Sequence, residues 1–288
     1  MTAIETDMKV TALSPWFGAK RILAPVIVEE LGPHRTYWEP FCGSMAVLLA
    51  KPPCSAETVN DLHGDMVNLA RVIQDPKWGA WLYRRLRRML LSQELFREAA
   101  ETIKLDRDKP SHERAHDYFV VSWFGRNGVA GTKGYNSNFC VRYTNRGGSP
   151  AVRWDSAVAS IPAWRRRLRR VTILQEDGIA LCDRIADDPG TVIYADPPYL
   201  KKGAQYVHDF DWLAHRRLAK ALRRFRNARC VVSYYDHPDL ASLYPGWTKR
   251  EVHVTKSLVS QGKRDAENKV TAPEVLLING PSLAPLPE

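Results

Sequence analysis

Thr36-Tyr-Trp-Glu-Pro-Phe-Cys-Gly-Ser-Met-Ala-Val-Leu-Leu-Ala50 decides the fold. Its β-branched and aromatic start reads as a strand, Gly43 as a turn, and Met45-Ala-Val-Leu-Leu-Ala50 as a helix opening. Glu57-Thr-Val-Asn-Asp61 follows as a second short strand. Strand, glycine turn, helix and strand in this order make a mononucleotide-binding half-unit, which predicts an α/β chain.

Outward from this unit the chain separates into three zones. Up to about residue 75, apolar strand-like runs alternate with Gly and Pro turns. From 76 to 159 the pattern changes. Trp78, Trp81, Leu82, Leu86, Met89 and Leu90 recur at helical spacing through a basic helix. A charged break at Asp106-Arg-Asp-Lys-Pro110, a second helix through Trp123, and a loop at 125–149 rich in Gly, Asn, Tyr and Arg follow. From 160 the α/β character returns, with strands at Val171-Thr-Ile-Leu174, Thr191-Val-Ile-Tyr-Ala195, Arg229-Cys-Val-Val-Ser233 and Glu274-Val-Leu-Leu-Ile278. Helix-like segments at 178–186 and 212–226 separate the first three. The organisation expected is an α/β domain of residues 1–75 and 160–288, carrying a mostly helical insertion at 76–159.

Lys and Arg total 42 against 32 Asp and Glu, a formal net charge of +10. Arginine runs at 84–88, 165–170 and 223–226 carry much of it. Charge of this size favours a polyanion, because neutralised phosphates release counterions. Each run alone is equally compatible with the solvated face of an amphipathic helix. Nucleic acid is the leading partner. No apolar stretch reaches eighteen residues, so no membrane segment is expected, and the N-terminus lacks the apolar core of a signal peptide. The five cysteines form no C-x-x-C pair, which points to a reducing cytoplasm rather than a disulfide framework or zinc knuckle.

Five features carry chemistry. Tyr194-Ala-Asp-Pro-Pro-Tyr199 ends an apolar strand. Pro197 and Pro198 donate no backbone hydrogen bonds and stiffen the chain, holding Asp196 and the Pro197 carbonyl as acceptors where open α/β sheets bind ligands. Tyr199 adds an aromatic face suited to stacking on a base. Trp38-Glu-Pro-Phe-Cys-Gly-Ser44 ends a strand in an acid, then a glycine turn, without a full G-x-G-x-x-G pattern. Asn60-Asp61 ends the next strand, and Asp61 reads either as a ribose acceptor or as a helix N-cap. Trp16-Phe-Gly-Ala-Lys20 combines an aromatic, a glycine and a cation, and Glu176-Asp177 follows a strand as an adenine acceptor or a cap. A sixth pattern, His112-Glu-Arg-Ala-His116, fits the H-E-x-x-H zinc helix. Its charged neighbours and the lack of a third ligand downstream argue for no metal.

Taken together, W-x-G-x-K, E-P-F-x-G, an acidic strand end and D-P-P-Y in this order resemble the Dam-like family of N6-adenine DNA methyltransferases, in its compact prophage and restriction–modification forms. The glycine turn departs from it, with one glycine where many relatives have two. The resemblance implies a Rossmann-like methyltransferase sheet, S-adenosylmethionine as cofactor and double-stranded DNA as substrate. It implies Trp16, Lys20, Glu39, Phe41, Gly43, Asp61, Asp177 and Asp196 around the cofactor. Asp196, Pro197, Pro198 and Tyr199 would serve the target base, which is flipped out of the duplex for direct methyl transfer. The 76–159 insertion would recognise the target. Within it Arg126, Asn127, Asn136, Asn138 and Arg142 can pair with base edges, so the loop at 125–143 is expected to read sequence. N4-cytosine methylation would use the same chemistry, and a catalytically inactive DNA-binding module is the alternative from another class.

Overall fold

A computed structural model describes residues 8–16, 18–105, 111–125, 138–141, 149–200, 210–255 and 271–284. A helix not foreseen, α1 (Ala24–Leu31), precedes β1 (Thr36–Glu39), the Gly43 turn, α2 (Ala46–Ala50) and β2 (Ala56–Asn60). Strand-like character was expected to persist to about residue 75. Residues 64–74 instead form an amphipathic helix, α3 (Gly64–Gln74), which buries Met66, Val67, Leu69, Ala70, Val72 and Ile73.

The next segment is helical, as expected: α4 (Pro76–Leu86), α5 (Gln93–Leu105), α6 (Ser111–Phe124) and α7 (Pro150–Leu168). Asp75 starts α4 by accepting the backbone N–H of Lys77 and Trp78, both at 2.8 Å, and Pro76 needs no partner there. Helix α6 is the centre of this layer, with every residue from Ala115 to Phe124 buried. The indoles of Trp123 and Trp164 donate to the carbonyls of Leu13 (3.1 Å) and Val10 (2.7 Å), tying the N-terminal segment to the helices. Helix α7 runs through residue 160 to Leu168, so the expected boundary falls inside a helix.

The second half comprises β3 (Val171–Leu174), α8 (Gly178–Arg184), β4 (Thr191–Ala195), α9 (Trp212–Leu222), β5 (Arg229–Tyr235), α10 (Leu240–Leu243), β6 (Thr248–Thr255) and β7 (Thr271–Ile278). The seven strands form one Rossmann-like sheet in the order β3-β2-β1-β4-β5-β7-β6. The first five are parallel, and β7 is antiparallel to both its neighbours. Edge strand β6 escapes a sequence reading because Thr248-Lys-Arg-Glu251 offers no apolar run.

Period-two alternation divides the sheet between two cores. Val192, Tyr194, Val231, Leu276 and Ile278 join the core under α1–α3 and the helical layer. Ile193, Ala195, Cys230, Val232 and Leu277 join a second core under α8 and α9. Strand β4, buried along its whole length, therefore reads as one uninterrupted apolar run. Strand order reverses between β1 and β4, and ligands of open α/β sheets bind at that point, beyond the carboxyl ends.

Part of the arginine excess is structural. Arg167, inside the 165–170 run, grips Glu57 at 2.5 and 2.7 Å in a nearly sealed position. Arg229 and Arg250 converge on the fully buried Glu30. These side chains pair with carboxylates of the chain itself.

Candidate active site

A cavity of about 270 Å³ opens at the β1/β4 switch point. All the residues nominated from sequence for the cofactor line it: Trp16, Lys20, Glu39, Phe41, Gly43, Asp61, Asp177 and Asp196. Pro198 joins them, whereas Pro197 and Tyr199 are buried and are not part of the lining.

The strand ends are held in place by Asn60. Its Nδ2 donates to the carbonyls of Pro40 and Glu176, both at 2.9 Å, and its Oδ1 accepts the Glu176 N–H at 2.9 Å. One buried amide thus fixes the termini of β1, β2 and β3 relative to one another. Asp61 is not the helix cap: α3 is capped by His63, whose Nδ1 accepts the Met66 N–H at 3.2 Å. Asp61 instead accepts the N–H of Gly43 (2.8 Å) and of His63 (2.9 Å), one on each oxygen. Asp177 does cap α8, through Oδ1 to Ile179 and Ala180, while also lining the cavity.

The glycine turn needs left-handed backbone at two positions. Gly43 has φ +44°, and a Cβ on it would stand 2.8 Å from Trp16 Nε1. Two residues on, Met45 has φ +59°, unusual for a residue with a side chain. The turn therefore keeps the backbone of a two-glycine sequence with only one glycine.

Glu39 is buried at the end of β1 and accepts the Tyr37 hydroxyl at 2.8 Å. Burial pushes its carboxyl up to about 8; the Tyr37 bond opposes this and the nearby Asp196 charge reinforces it. Asp196, just past β4, takes Lys20 Nζ on Oδ2 at 2.8 Å and the Ser233 hydroxyl on Oδ1 at 2.7 Å. Lys20 also bonds the Gly18 carbonyl and lies 4.0 Å from Glu274. Burial pulls the Lys20 pKa down, but Asp196 and Glu274 outweigh it, and the net shift is upward.

The sequence casts Tyr199 as an open stacking platform. The ring is instead 3% exposed, with Lys20 Nζ 4.9 Å from its centroid and Tyr235 edge-on at 4.5 Å. Stacking on a base would need rearrangement around it. Of the residues expected to read DNA, Arg126, Asn127, Asn136 and Arg142 lie outside the described residues. Asn138 is exposed where the loop returns. The loop's two ends meet: Gly125 bridges Phe139, the Cys140 N–H bonds the Phe124 carbonyl at 2.7 Å, and Arg153 holds the carbonyls of Trp123 and Gly125. In the H-E-x-x-H stretch, His112 stacks on Trp78 at 3.7 Å, and His116 contacts Asp117 and Met89.

Sequence reasoning missed Ile179 and Phe210, which add apolar walls to the cavity, and also Ser233 and Glu274. The signal for Ser233 was a lone hydroxyl near the end of a buried strand. For Glu274 it was an acid opening an apolar one.

Residues 16–260 match the profile of the D12 class N6 adenine-specific DNA methyltransferases. The chain belongs to that family. Its match runs from Trp16 past Asp196 and Ser233, so it spans the whole cavity. The methyl donor of the family is S-adenosylmethionine. Among solved structures the chain is similar to SMU.472, a protein assigned as a methyltransferase and complexed with SAH. Identity is 12% and the TM-score 0.35, over 90% of this chain and 52% of that one. The chain thus spans about half the length of that structure. No curated protein matches it. Among the described residues, no helix is long and apolar enough to cross a membrane.

Proposed function

We propose that this D12-class chain methylates the N6 amine of adenine at a specific sequence in double-stranded DNA. Transfer is direct, to a base flipped out of the duplex. The observation that carries the reading is Asp196, set past β4 in one cavity with Asp61, Gly43 and Glu39.

The donor set of the cavity fits S-adenosylmethionine. Asp61 closes β2 with a carboxylate suited to ribose hydroxyls, and Phe41, Ile179 and Phe210 offer apolar walls for a purine. Asp177, beside them, would accept from the purine's amine. When bound, the cofactor supplies an electrophilic methyl group. The chain's own part is to prepare the nucleophile, because the adenine amine has its lone pair delocalised into the ring. Asp196 and the Pro197 carbonyl would each accept one N–H, favouring a pyramidal nitrogen with a localised lone pair. A carboxylate has about four lone-pair sites, so Asp196 can serve the amine while holding Lys20 and Ser233. The amine is paired inside a duplex, so the base must be extruded. Tyr199 would then have to expose a face to stack on it.

Residues 76–159 serve as the target-recognition insertion in this reading. Gly125 pairs with Phe139 at the base of the segment, and Arg126, Asn127, Asn136, Asn138 and Arg142 would be its readers.

Expression in a methylation-deficient host, with modification-sensitive sequencing of its DNA, tests the proposal. The wild type should leave N6-methyladenine at one motif, and Asp196→Ala none. Methylcytosine, or unmodified DNA from folded protein, would overturn it.

A further inference from the structure

Asp196 needs a fixed orientation to accept from an amine, and the structure shows what supplies it. Strands β4 and β5 are parallel and in register from Val192 beside Arg229 to Ala195 beside Val232. One step further along the same register sets Asp196 beside Ser233. Tyr194 shares the sheet face of Asp196, two residues back along the strand. Ser233 is fully buried. Its hydroxyl lies 2.7 Å from Asp196 Oδ1 and 2.9 Å from the Tyr194 hydroxyl.

The direction of this chain of hydrogen bonds follows from proton counting. An ionised carboxylate only accepts, so Ser233 must donate its single proton to Asp196. Ser233 can then only accept from Tyr194, whose hydroxyl must be the donor. Burial first, and the Asp196 charge next, hold the Tyr194 phenol well above its usual range, which keeps it protonated.

We propose that Ser233, itself oriented by Tyr194, is a positioning residue that sets the plane of the Asp196 carboxylate for the target amine. The proposal rests on the reading of Asp196 as the amine's acceptor. Lys20 fixes the second oxygen, and two anchors on different oxygens leave the carboxylate no free rotation. Ser233 touches neither base nor cofactor in this account; it acts through Asp196.

The test is single-turnover and steady-state methylation by Ser233→Ala, Ser233→Thr and Tyr194→Phe, with cofactor binding by calorimetry on each. Ser233→Ala should lose about tenfold or more in kcat, the scale of one hydrogen bond to a charged group. Its KM for DNA and cofactor affinity should stay within about threefold. Ser233→Thr keeps the hydroxyl and should restore most of the rate. Tyr194→Phe frees the Ser233 rotor and should cost less than Ser233→Ala, yet measurably. A merely structural role would lower stability and affinity while leaving kcat alone, and that result overturns the proposal. So does equal loss in Ser233→Thr and Ser233→Ala. Retained activity in Asp196→Ala would remove the underlying reading, whereas an inactive Asp196→Ala beside a fully active Ser233→Ala overturns the Ser233 assignment alone.

Discussion

Lys20 Nζ sits 2.8 Å from Asp196 Oδ2, with the two side chains only 4% and 19% exposed. The pair joins the segment before α1 to the end of β4, so the N-terminal residues are part of the site. An ammonium this deep is tolerable because Asp196 and Glu274 both lie within 4.0 Å and the Gly18 carbonyl accepts one of its protons.

Lys20→Met should therefore damage more than activity. It leaves two carboxylates near each other without their cation, and breaking a buried pair in this way costs about 3–5 kcal/mol. Urea unfolding should show a loss of that order, and methylation should fall with it. Stability within about 0.5 kcal/mol of wild type, the range of ordinary surface changes, would show the pair to be energetically idle.

Glu39 predicts a pH dependence. Its carboxyl is raised to about 8 in the folded chain, chiefly by burial, from an ordinary 4.5. Between those values the folded state holds a proton that the unfolded state has released. Its contribution is complete below the lower value and lost as pH rises through the upper one, with a slope of up to about 1.4 kcal/mol per pH unit. Glu39→Gln resembles the protonated acid and cannot titrate. The variant should gain on wild type steadily from pH 5 to 8 in urea unfolding of the cofactor-free protein. Parallel pH profiles would mean that Glu39 is already ionised.

What could be read in the sequence was local. Glu39, Gly43, Asp61, Asp177 and Asp196 lie at strand ends or in the turns just beyond them, at positions marked by an acid, glycine or proline, and a parallel sheet brings such ends together. Ser233 and Glu274 reach Asp196 and Lys20 only through the β4/β5 register and the antiparallel insertion of β7. Neither relationship leaves a pattern in the chain. The burial of Tyr199 was hidden for the same reason, since Lys20 and Tyr235 come from distant segments. Arg167 looked like its neighbours in a basic run until Glu57 appeared beside it.

Gly178 is a second place where backbone geometry controls the cavity. A Cβ there would lie 2.8 Å from both the Phe41 ring and the Pro40 carbonyl oxygen. That carbonyl is held by Asn60, so both the start of α8 and the Phe41 ring would have to move. Gly178→Ala should lose about tenfold or more in S-adenosylmethionine affinity by calorimetry, with about 1–3 kcal/mol of stability, as overpacking does. Unchanged affinity would mean that Phe41 does not border the bound nucleoside.

Met45 makes the sharpest prediction, because two opposed effects act at one residue. Its side chain is fully buried, and truncating a buried methionine costs about 2–5 kcal/mol. Its φ of +59° costs about 1–2 kcal/mol for any residue with a Cβ, and nothing comparable for glycine. Met45→Ala loses the burial and keeps the strain, whereas Met45→Gly loses the burial and relieves the strain. Both should be less stable than wild type, since the burial term is the larger. The glycine variant should nevertheless exceed the alanine variant by about 1 kcal/mol, the reverse of the order in a helix interior, where glycine is the worse by about 0.5–1 kcal/mol. Urea unfolding of the two variants measures the difference directly. Alanine above glycine would show that the turn relaxes to negative φ, and that a second glycine is not what its backbone requires.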